Sequence, residues 1–386
     1  MTAFISYSDE REPRTQLVYA LREHGVTPWR DVEDLDLGNR TTNAIEAELA
    51  ECSGVILWVN EQVLRSAYVA SVELPAIARA ARDRGIRIAP VFDGLSPSDA
   101  SERVSRLGIE IGESNGHVVD QTASSLETAA AIAARYASAE VKAACANGRE
   151  PIVRLITYDD TAPRRGEAVL NLDWRHALAS DDATPDVEAR LRKALLASTG
   201  ALKAAYGASQ IALAAKAHLP AAAALGHSFA ETTGCTVRMD RDGAIYTADR
   251  TIADIADLQV TWHLKGPIDA RAAAVEVAVT RDSTAGVSAH VADGHRYRDR
   301  ATLTPSAGSG RFALDGPESC NAWAHQVGNL LTELGARPDI DRVDLFMACP
   351  VELAVAIGWW ANATGPVTLM NWAGKTGPYT PMWHLP

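Results

Sequence analysis

Long apolar runs and basic leader segments are both missing from this chain. No stretch of about 18 apolar residues occurs, and the first residues show no basic region followed by an apolar one. The best apolar candidate, 211–226, is interrupted by Lys216, His218 and Pro220. We therefore expect neither a membrane span nor a signal peptide, and we expect a cytoplasmic location.

Positive charge is also scarce. The 386 residues include 37 Lys and Arg against 49 Asp and Glu, a formal net charge of -12 at pH 7. The backbone of a long nucleic acid is bound by a basic face, so we expect no such partner. A small anionic ligand is still allowed, because one pocket needs only a few local cations. The apolar fraction of 47% is typical of a globular chain, and the length allows two or three domains.

Cysteine is rare and irregularly spaced. No pair has the short spacing of a zinc site or a redox motif, and no glycine-rich phosphate loop follows the first predicted strand. These absences argue against a metal site, a dinucleotide-binding dehydrogenase and a P-loop enzyme. We expect free, mostly buried thiols in a reducing cytosol. The cysteines are Cys52, Cys145, Cys235, Cys320 and Cys349.

Strand and helix patterns alternate over the first 140 residues. Parallel strands joined by helical crossovers follow from that order, so we predict a doubly wound α/β sheet with its ligand site at the carboxyl ends of the strands. The predicted strands are 4–8, 26–29, 54–60, 86–94 and 117–120, and the predicted helices are 12–24, 41–52, 69–84 and 122–143.

Three segments in this region carry a resemblance to TIR domains. FISYSDE at 4–10 resembles their first signature, and VTPWRDVEDLDLG at 26–38 resembles their second strand and following loop. SAYVASVEL at 66–74 resembles the helix that holds the catalytic glutamate of NAD-cleaving members, which places that role on Glu73. The resemblance implies a flavodoxin-like domain over 1–143. Many members have a Trp four residues before this glutamate, where the present chain has Val69.

A glutamate suits NAD cleavage because loss of nicotinamide builds positive charge on the ribose. The leaving group is already a cation, so neither a metal nor a cofactor is required. Trp29 is the candidate stacking surface, although strand Trp residues usually pack in cores and a helix Glu is usually solvated. The predicted NAD-binding residues are Ser6, Tyr7, Trp29, Arg30, Asp31, Ser66 and Tyr68.

The remainder of the chain contains an internal repeat. After a polar break at 144–150, VRLITYDD at 153–160 parallels VEVAVTRD at 275–282. The segments 211–226 and 344–358 also align, and their last glycines, Gly226 and Gly358, are 132 residues apart. We therefore predict two similar α/β halves, approximately 150–270 and 271–386, facing each other across a shared groove.

The segment LFMACPVELAVAIG at 345–358 makes residues 150–386 resemble a SAVED domain, a sensor of two fused CARF-like (Rossmann-like) halves. In combination with a TIR domain, the resemblance implies an effector of bacterial cyclic-oligonucleotide (CBASS) antiphage defence. Such effectors bind a cyclic oligonucleotide, self-associate as oligomers or filaments, and destroy NAD. The implied activator is a cyclic tri-adenylate, with ring size and bases left open.

A cyclic oligonucleotide offers phosphates and flat bases, so its site needs cations, backbone N–H groups and aromatic faces. Residues of these kinds follow the paired strands. Lys216 can equally be a solvated lysine, and His218 a half-buried histidine with its own partners. The predicted ligand contacts are Lys216, His218, Arg281, Cys349, Pro350, Trp372, Lys375 and Tyr379.

The leading hypothesis is therefore a ligand-gated NAD glycohydrolase that releases nicotinamide and ADP-ribose, linear or cyclic. A second hypothesis is a signalling adaptor whose TIR domain only recruits other TIR domains. A third, a free-standing sugar-nucleotide enzyme, is disfavoured by the missing phosphate loop and by the internal repeat.

Overall fold

The structure is a computed structural model, and its described part leaves gaps in several loops. The described residues are 1–6, 12–29, 41–111, 116–158, 167–179, 184–207, 209–263, 266–362, 364–372 and 378–386. Contacts divide the chain into two compact units, Met1–Arg149 with Pro163–Leu172 and Glu150–Ala162 with Asp173–Pro386. Among the described helices, none is long and apolar enough to cross a membrane.

The first unit is built on a parallel five-stranded sheet. Its strands are β1 (Thr2–Ser6), β2 (Thr27–Trp29), β3 (Gly54–Val59), β4 (Arg87–Phe92) and β5 (His117–Val118). Their order is β2-β1-β3-β4-β5, and every neighbouring pair is parallel. This is the flavodoxin-like order, which confirms the predicted fold class. The central strand β3 is buried over its whole length, as its apolar sequence GVILWV predicts.

Helices connect these strands on the pattern that the sequence predicts, with two additions and one change. The chain forms α1 (Glu12–Glu23), α2 (Thr41–Glu51), α3 (Glu61–Arg65), α4 (Leu74–Arg84), α5 (Pro97–Ser105) and α6 (Ser125–Ala146). The short helices α3 and α5 were not predicted. The single helix expected over 69–84 is wrong in its first turn, because Val69–Glu73 is π-helical. Gly85 ends α4 in the left-handed conformation, with φ of 66°.

The second unit contains two sheets, and the first of them covers the earlier half of the repeat. Its strands are β6 (Ile152–Ile156), β7 (Leu170–Asp173), β8 (Gln210–Lys216), β9 (Thr236–Arg241) and β10 (Ala244–Ala248), in the order β10-β9-β8-β6-β7, and the division between the two units falls within β7. Strands β6, β8 and β9 are parallel, and β10 returns antiparallel to β9. The helices α7 (Pro185–Tyr206) and α8 (Leu219–His227) connect them.

The second sheet repeats that arrangement. It consists of β11 (Gln259–Trp262), β12 (Ala272–Ala278), β13 (Asp299–Thr304), β14 (Arg342–Ala348), β15 (Val367–Trp372) and β16 (Tyr379–Leu385). The order is β11-β13-β12-β14-β15-β16, with β16 antiparallel to β15. Its helices are α9 (Thr284–Ala292), α10 (Pro317–Gly335) and α11 (Val351–Trp360). Apart from the additional edge strand β11, the strand order matches the first sheet position by position, which confirms the two similar halves.

Helices α8 and α11 occupy equivalent positions in the two halves and cross at their matched glycines. A Cβ atom on Gly226 would lie 2.0 Å from the carbonyl oxygen of Val355, and one on Gly358 would lie 1.9 Å from that of Ala223. The two contacts are reciprocal, as a pseudo-two-fold axis between the helices requires. Glycine is needed at both positions because backbone approaches backbone there and leaves no space for a side chain.

Candidate functional site

The candidate catalytic carboxylate lies at the carboxyl edge of the first sheet. Ser6 is the last residue of β1, and its hydroxyl donates a hydrogen bond of 2.5 Å to Oε2 of Glu73. Both residues are buried, with exposed fractions of 0% and 2%. The structure therefore brings together two of the predicted residues from separate motifs, and the hydroxyl of Ser6 fixes one carboxylate oxygen of Glu73.

The local backbone explains the direction of Glu73. Ser66 ends α3, and its hydroxyl accepts the backbone N–H of Val69 at 3.3 Å. The next turn is π-helical, with the N–H of Leu74 donating to the carbonyl of Val69. Single π turns inside helices are frequent at functional sites. Val69 and Glu73, at the two ends of this turn, are both buried, whereas Tyr68, which precedes the turn, is 37% exposed.

The other predicted NAD contacts have different settings. The Trp29 ring stacks on Phe4 with centroids 5.1 Å apart, and only 4% of Trp29 is exposed. Tyr68 is 37% exposed and accessible. An open cavity of about 500 Å³ beside α3 is lined by Glu61, Gln62, Arg65 and Ser66. The predicted contacts Tyr7, Arg30 and Asp31 lie outside the described residues.

In the second unit, the candidate ligand residues form two groups at the carboxyl ends of the strands. The first group surrounds the ends of β6 and β8. Lys216 is exposed at the end of β8 and lines a cavity of about 210 Å³ with Arg154, Asp240, Val351 and Glu352. Because Val351 and Glu352 begin α11, this cavity contains residues from both halves.

His218 is held by Thr157 of the neighbouring strand end. The backbone N–H of His218 donates to the Thr157 hydroxyl at 2.8 Å, and the same hydroxyl lies 2.7 Å from Nδ1 of the ring. Thr157 therefore contacts both the backbone and the ring of His218, which fixes the orientation of the imidazole. Tyr158 packs edge-on to His218, with centroids 5.5 Å apart.

The second group lies at the ends of β12, β15 and β16. The guanidinium carbon of Arg281 lies 3.3 Å from the centroid of the Trp372 ring. Tyr379 pairs with Trp372 across the antiparallel strands and is buried against Phe346, with ring centroids 4.9 Å apart. Burial raises the pKa of Tyr379, while Arg281 acts in the opposite direction. The structure thus brings together three predicted ligand residues.

Two further predicted contacts are at the start of α11. Pro350 is the N-cap residue and is partly exposed. Cys349 is buried, and burial raises the pKa of its thiol, which therefore stays protonated. Lys375 lies outside the described residues. All five cysteines are free, as predicted, and Cys145 is the only one that is not fully buried.

Sequence reasoning missed several residues that hold these groups in place. Thr157 and Tyr158 belong to the matched segment 153–160, where the repeat could have indicated them. Arg241 at the end of β9 forms an ion pair of 2.9 Å with Glu352 of the other half. No local pattern marks that pair. Within the described ranges, no group of three or more His, Cys, Asp and Glu side chains could hold a metal ion.

Family models match both parts of the chain. The model described as "SMODS-associated and fused to various effectors sensor domain" (SAVED) matches residues 193–385, and a TIR domain model matches residues 3–112. Among curated proteins, none matches this chain.

Two of the solved structures similar to the chain are Cap4 receptors. One is the Cap4 SAVED/CARF-domain containing receptor of Acinetobacter baumannii with the cyclic trinucleotide 3'3'3'-cAAA, at 11% identity and a TM-score of 0.50, covering 98% of this chain and 99% of that chain. Another is the Cap4 SAVED/CARF-domain containing receptor of Moraxella osloensis, at 12% identity and a TM-score of 0.46, covering 97% and 98%. At this identity, the likeness to the first receptor shows the fold.

Proposed function

Because the chain belongs to the SAVED sensor family and carries a TIR domain, we propose that it is a cyclic-oligonucleotide-activated NAD+ glycohydrolase. Binding of the ligand to the second unit drives self-association, and the associated TIR domains cleave NAD+. The resulting loss of NAD+ serves CBASS antiviral defence in a cytoplasmic setting. The observation that carries the enzymatic part is the buried hydrogen bond between Ser6 and Glu73 at the strand edge.

The chemistry assigned to Glu73 follows from the charge of the reaction. The bond between the ribose and nicotinamide breaks, nicotinamide leaves as a neutral molecule, and the ribose becomes an oxocarbenium-like cation. The Glu73 carboxylate stabilises that cation and binds the ribose hydroxyls. Attack by water then gives ADP-ribose and a proton, whereas attack by a group of the adenine gives the cyclic product.

Tyr68 has the better position for stacking on the substrate. It directly precedes the π-helical turn that ends at Glu73 and is accessible, whereas Trp29 is packed against Phe4. Substitution Tyr68→Ala should raise KM for NAD+ more than it lowers kcat, and Tyr68→Phe should restore most of the loss, because the face of the ring is what stacks. An unchanged KM in Tyr68→Ala would leave the stacking role with Trp29.

The sensor part of the proposal rests on two groups of residues. Lys216 and His218 supply a cation and a donor at one set of strand ends, and Arg281, Trp372 and Tyr379 supply a cation and aromatic rings at the other. Phosphates and bases of a cyclic oligonucleotide need these chemistries. A cyclic tri-adenylate is the proposed activator, supported by the cyclic trinucleotide in the similar A. baumannii receptor.

NAD+ consumption by the purified full chain tests the proposal directly. The protein is assayed alone and with cyclic di-, tri- and tetra-adenylate, and nicotinamide is measured by chromatography. We expect release with one ring, and loss of about 1000-fold or more in Glu73→Gln, which keeps the size of the side chain and removes its charge. Glu46→Gln, on the exposed surface of α2, is the control. Equal nicotinamide release by Glu73→Gln would exclude this glutamate as the catalytic residue.

A second function is favoured by the depth of the candidate residues. Glu73 and Trp29 are 2% and 4% exposed, a setting that also suits a structural role in a TIR adaptor without enzymatic activity. This reading predicts no NAD+ loss with any ring, and ligand-dependent capture of a second TIR-containing protein. Nicotinamide release that depends on both the ring and Glu73 would remove it.

A further inference from the structure

The loop 305–313 presents two unusual side chains beside the second group of ligand residues. It connects β13 to α10 and contains Arg311 and Phe312. Phe312 is 86% exposed, the largest exposure among the large apolar residues in the described ranges. Burial of an aromatic ring stabilises a folded protein, and the folded chain gains little of this stabilisation at Phe312.

Hydrogen bonds fix the base of this loop at the carboxyl end of β12. The N–H of Gly310 donates to the carbonyl of Val279 at 2.9 Å, and the hydroxyl of Ser309 donates to the carbonyl of Ala278 at 2.6 Å. Arg281, whose guanidinium covers Trp372, follows Val279 by two residues. The loop therefore starts from the same strand end as the Arg281–Trp372 pair.

The equivalent segment of the first half behaves differently. There the N–H of Trp174 donates to the carbonyl of Ile156 at 2.8 Å, and Ile156, at the end of β6, matches Ala278 in the repeat. Trp174 is completely buried and stacks on Trp383 with centroids 5.6 Å apart and planes 6° apart. Its aromatic ring is used for packing, whereas the ring of Phe312 is accessible for another partner.

We propose that Arg311 and Phe312 close over one nucleotide of the bound cyclic oligonucleotide, with Phe312 stacking on its base and Arg311 paired with its phosphate. The proposal rests on the proposed sensor function and adds residues to it. A nucleobase is a flat apolar partner of the size of a Phe ring, and a phosphate complements the adjacent guanidinium. Gly308, with φ of 87°, and Gly310 allow the backbone of the loop to approach the ligand.

The test is ligand affinity in the full chain by titration calorimetry, using whichever of cyclic di-, tri- and tetra-adenylate binds the wild type most tightly. Phe312→Ala should weaken binding about 5- to 100-fold, the range for loss of one base–aromatic stack. Phe312→Tyr should stay within about threefold of the wild type, since the ring face is kept. Ile268→Ala is the matched control, because Ile268 is 85% exposed and lies on the amino side of β12.

Each outcome decides the question. Weaker binding in Phe312→Ala, with recovery in Phe312→Tyr and no change in Ile268→Ala, supports the closing loop. Unchanged affinity in Phe312→Ala overturns it, as does an equal loss in the control. Unchanged affinity combined with lost ligand-driven assembly, measured by light scattering, would assign Phe312 to contact with a second copy and also overturn it. A wild type that binds none of the three rings overturns the proposed sensor function together with this inference.

Discussion

The two halves of the second unit share a fold and differ in chemistry. Strand order and the crossing helices correspond, but the side chains beyond the strand ends do not. Lys216 and His218 of the first half match Ala348 and Pro350 of the second, which instead presents Arg281 and Trp372 after other strands. Packing constrains the interior, because close-packed side chains tolerate little change in volume. Residues beyond the strand ends face no such constraint. A duplicated scaffold can therefore keep its shape while its two edges recognise different parts of one ligand.

The largest effect is expected where the halves are most alike. Gly226→Ala and Gly358→Ala should each lower the free energy of unfolding by about 3 kcal/mol or more, because the added Cβ meets a backbone oxygen that cannot turn away. Urea unfolding measures the change. Gly200→Ala in α7 is the control and should be neutral or stabilising by up to about 1 kcal/mol, since nothing lies within 4 Å of its Cβ. A large difference between the two crossing variants would contradict the reciprocal geometry.

The next prediction compares how substitutions in the two halves change ligand affinity. Trp372→Ala is expected to weaken cyclic tri-adenylate binding about 10-fold or more, because it removes a stacking face and the support of Arg281. Tyr158→Ala should change the affinity less than about threefold, since Tyr158 presents its edge to His218 and the first half binds through polar groups. Calorimetric titration of both variants and of Trp372→Phe checks this. Equal losses in the two halves would mean that both edges bind bases.

A smaller effect is expected at the ion pair between the halves. Arg241→Gln should lower the free energy of unfolding by about 1–2 kcal/mol, because the Glu352 side chain is only 9% exposed and loses its cation. A double-mutant cycle with Glu352→Gln measures the coupling. The surface pair Arg271–Asp341, with side chains 55% and 61% exposed, is the comparison and should show much weaker coupling, because solvent screens it. Similar coupling in both pairs would argue against a link between the halves.

The smallest effect concerns acid stability of the second half. His290 lies on the buried face of α9 and stacks on His295, with ring centroids 3.7 Å apart. Burial, and then the neighbouring His295, lower the pKa of His290. The unfolded chain then binds more protons, so stability falls as the pH drops from about 6.5 towards the folded-state value. In His290→Gln, the free energy of unfolding measured with urea should fall less between pH 6.5 and 5 than it does in the wild type. The expected difference is less than about 1 kcal/mol. If the pH dependence of the free energy of unfolding did not change in this variant, groups other than His290 would cause the loss of stability in acid.

Sequence patterns predicted the fold well because the fold depends on periodicity. Alternating apolar strands and helices indicated the parallel sheet of the first unit, and the matched glycines Gly226 and Gly358 indicated the repeat before its reciprocal contact was seen. The helix α3 was missed because it has only five residues, and α5 was missed because its sequence PSDASERVS is mostly polar, with only Ala100 and Val104 buried. Strand β11, which precedes the expected division near residue 270, pairs with β13 of the second sheet.

The sequence predicted which residues belong to the candidate sites, but it predicted their burial and contacts only in part. The motifs pointed to Glu73 and Ser6, and the structure places them in contact, but the π turn that ends at Glu73 depends on an unusual backbone hydrogen bond that no sequence pattern marks. For Trp29 the sequence left two roles open, because a Trp residue can pack in a core or stack on a ligand, and the structure shows it packed against Phe4. Arg281 and Trp372 were each predicted as ligand residues. Their contact was not, because about 90 residues of chain separate them and only the folded sheet brings them together.

The crossing of α8 and α11 has a mechanical consequence. Side chains between two helices act as soft spacers, because they change rotamer when one helix is displaced. At Gly226 and Gly358 no side chain separates the helices, and the backbone of one helix contacts the backbone of the other. A displacement of one half is then transmitted directly to the other, because no side chain between the helices can adjust to absorb it. The sensor should therefore respond as one stiff body to a ligand that touches only one of its edges.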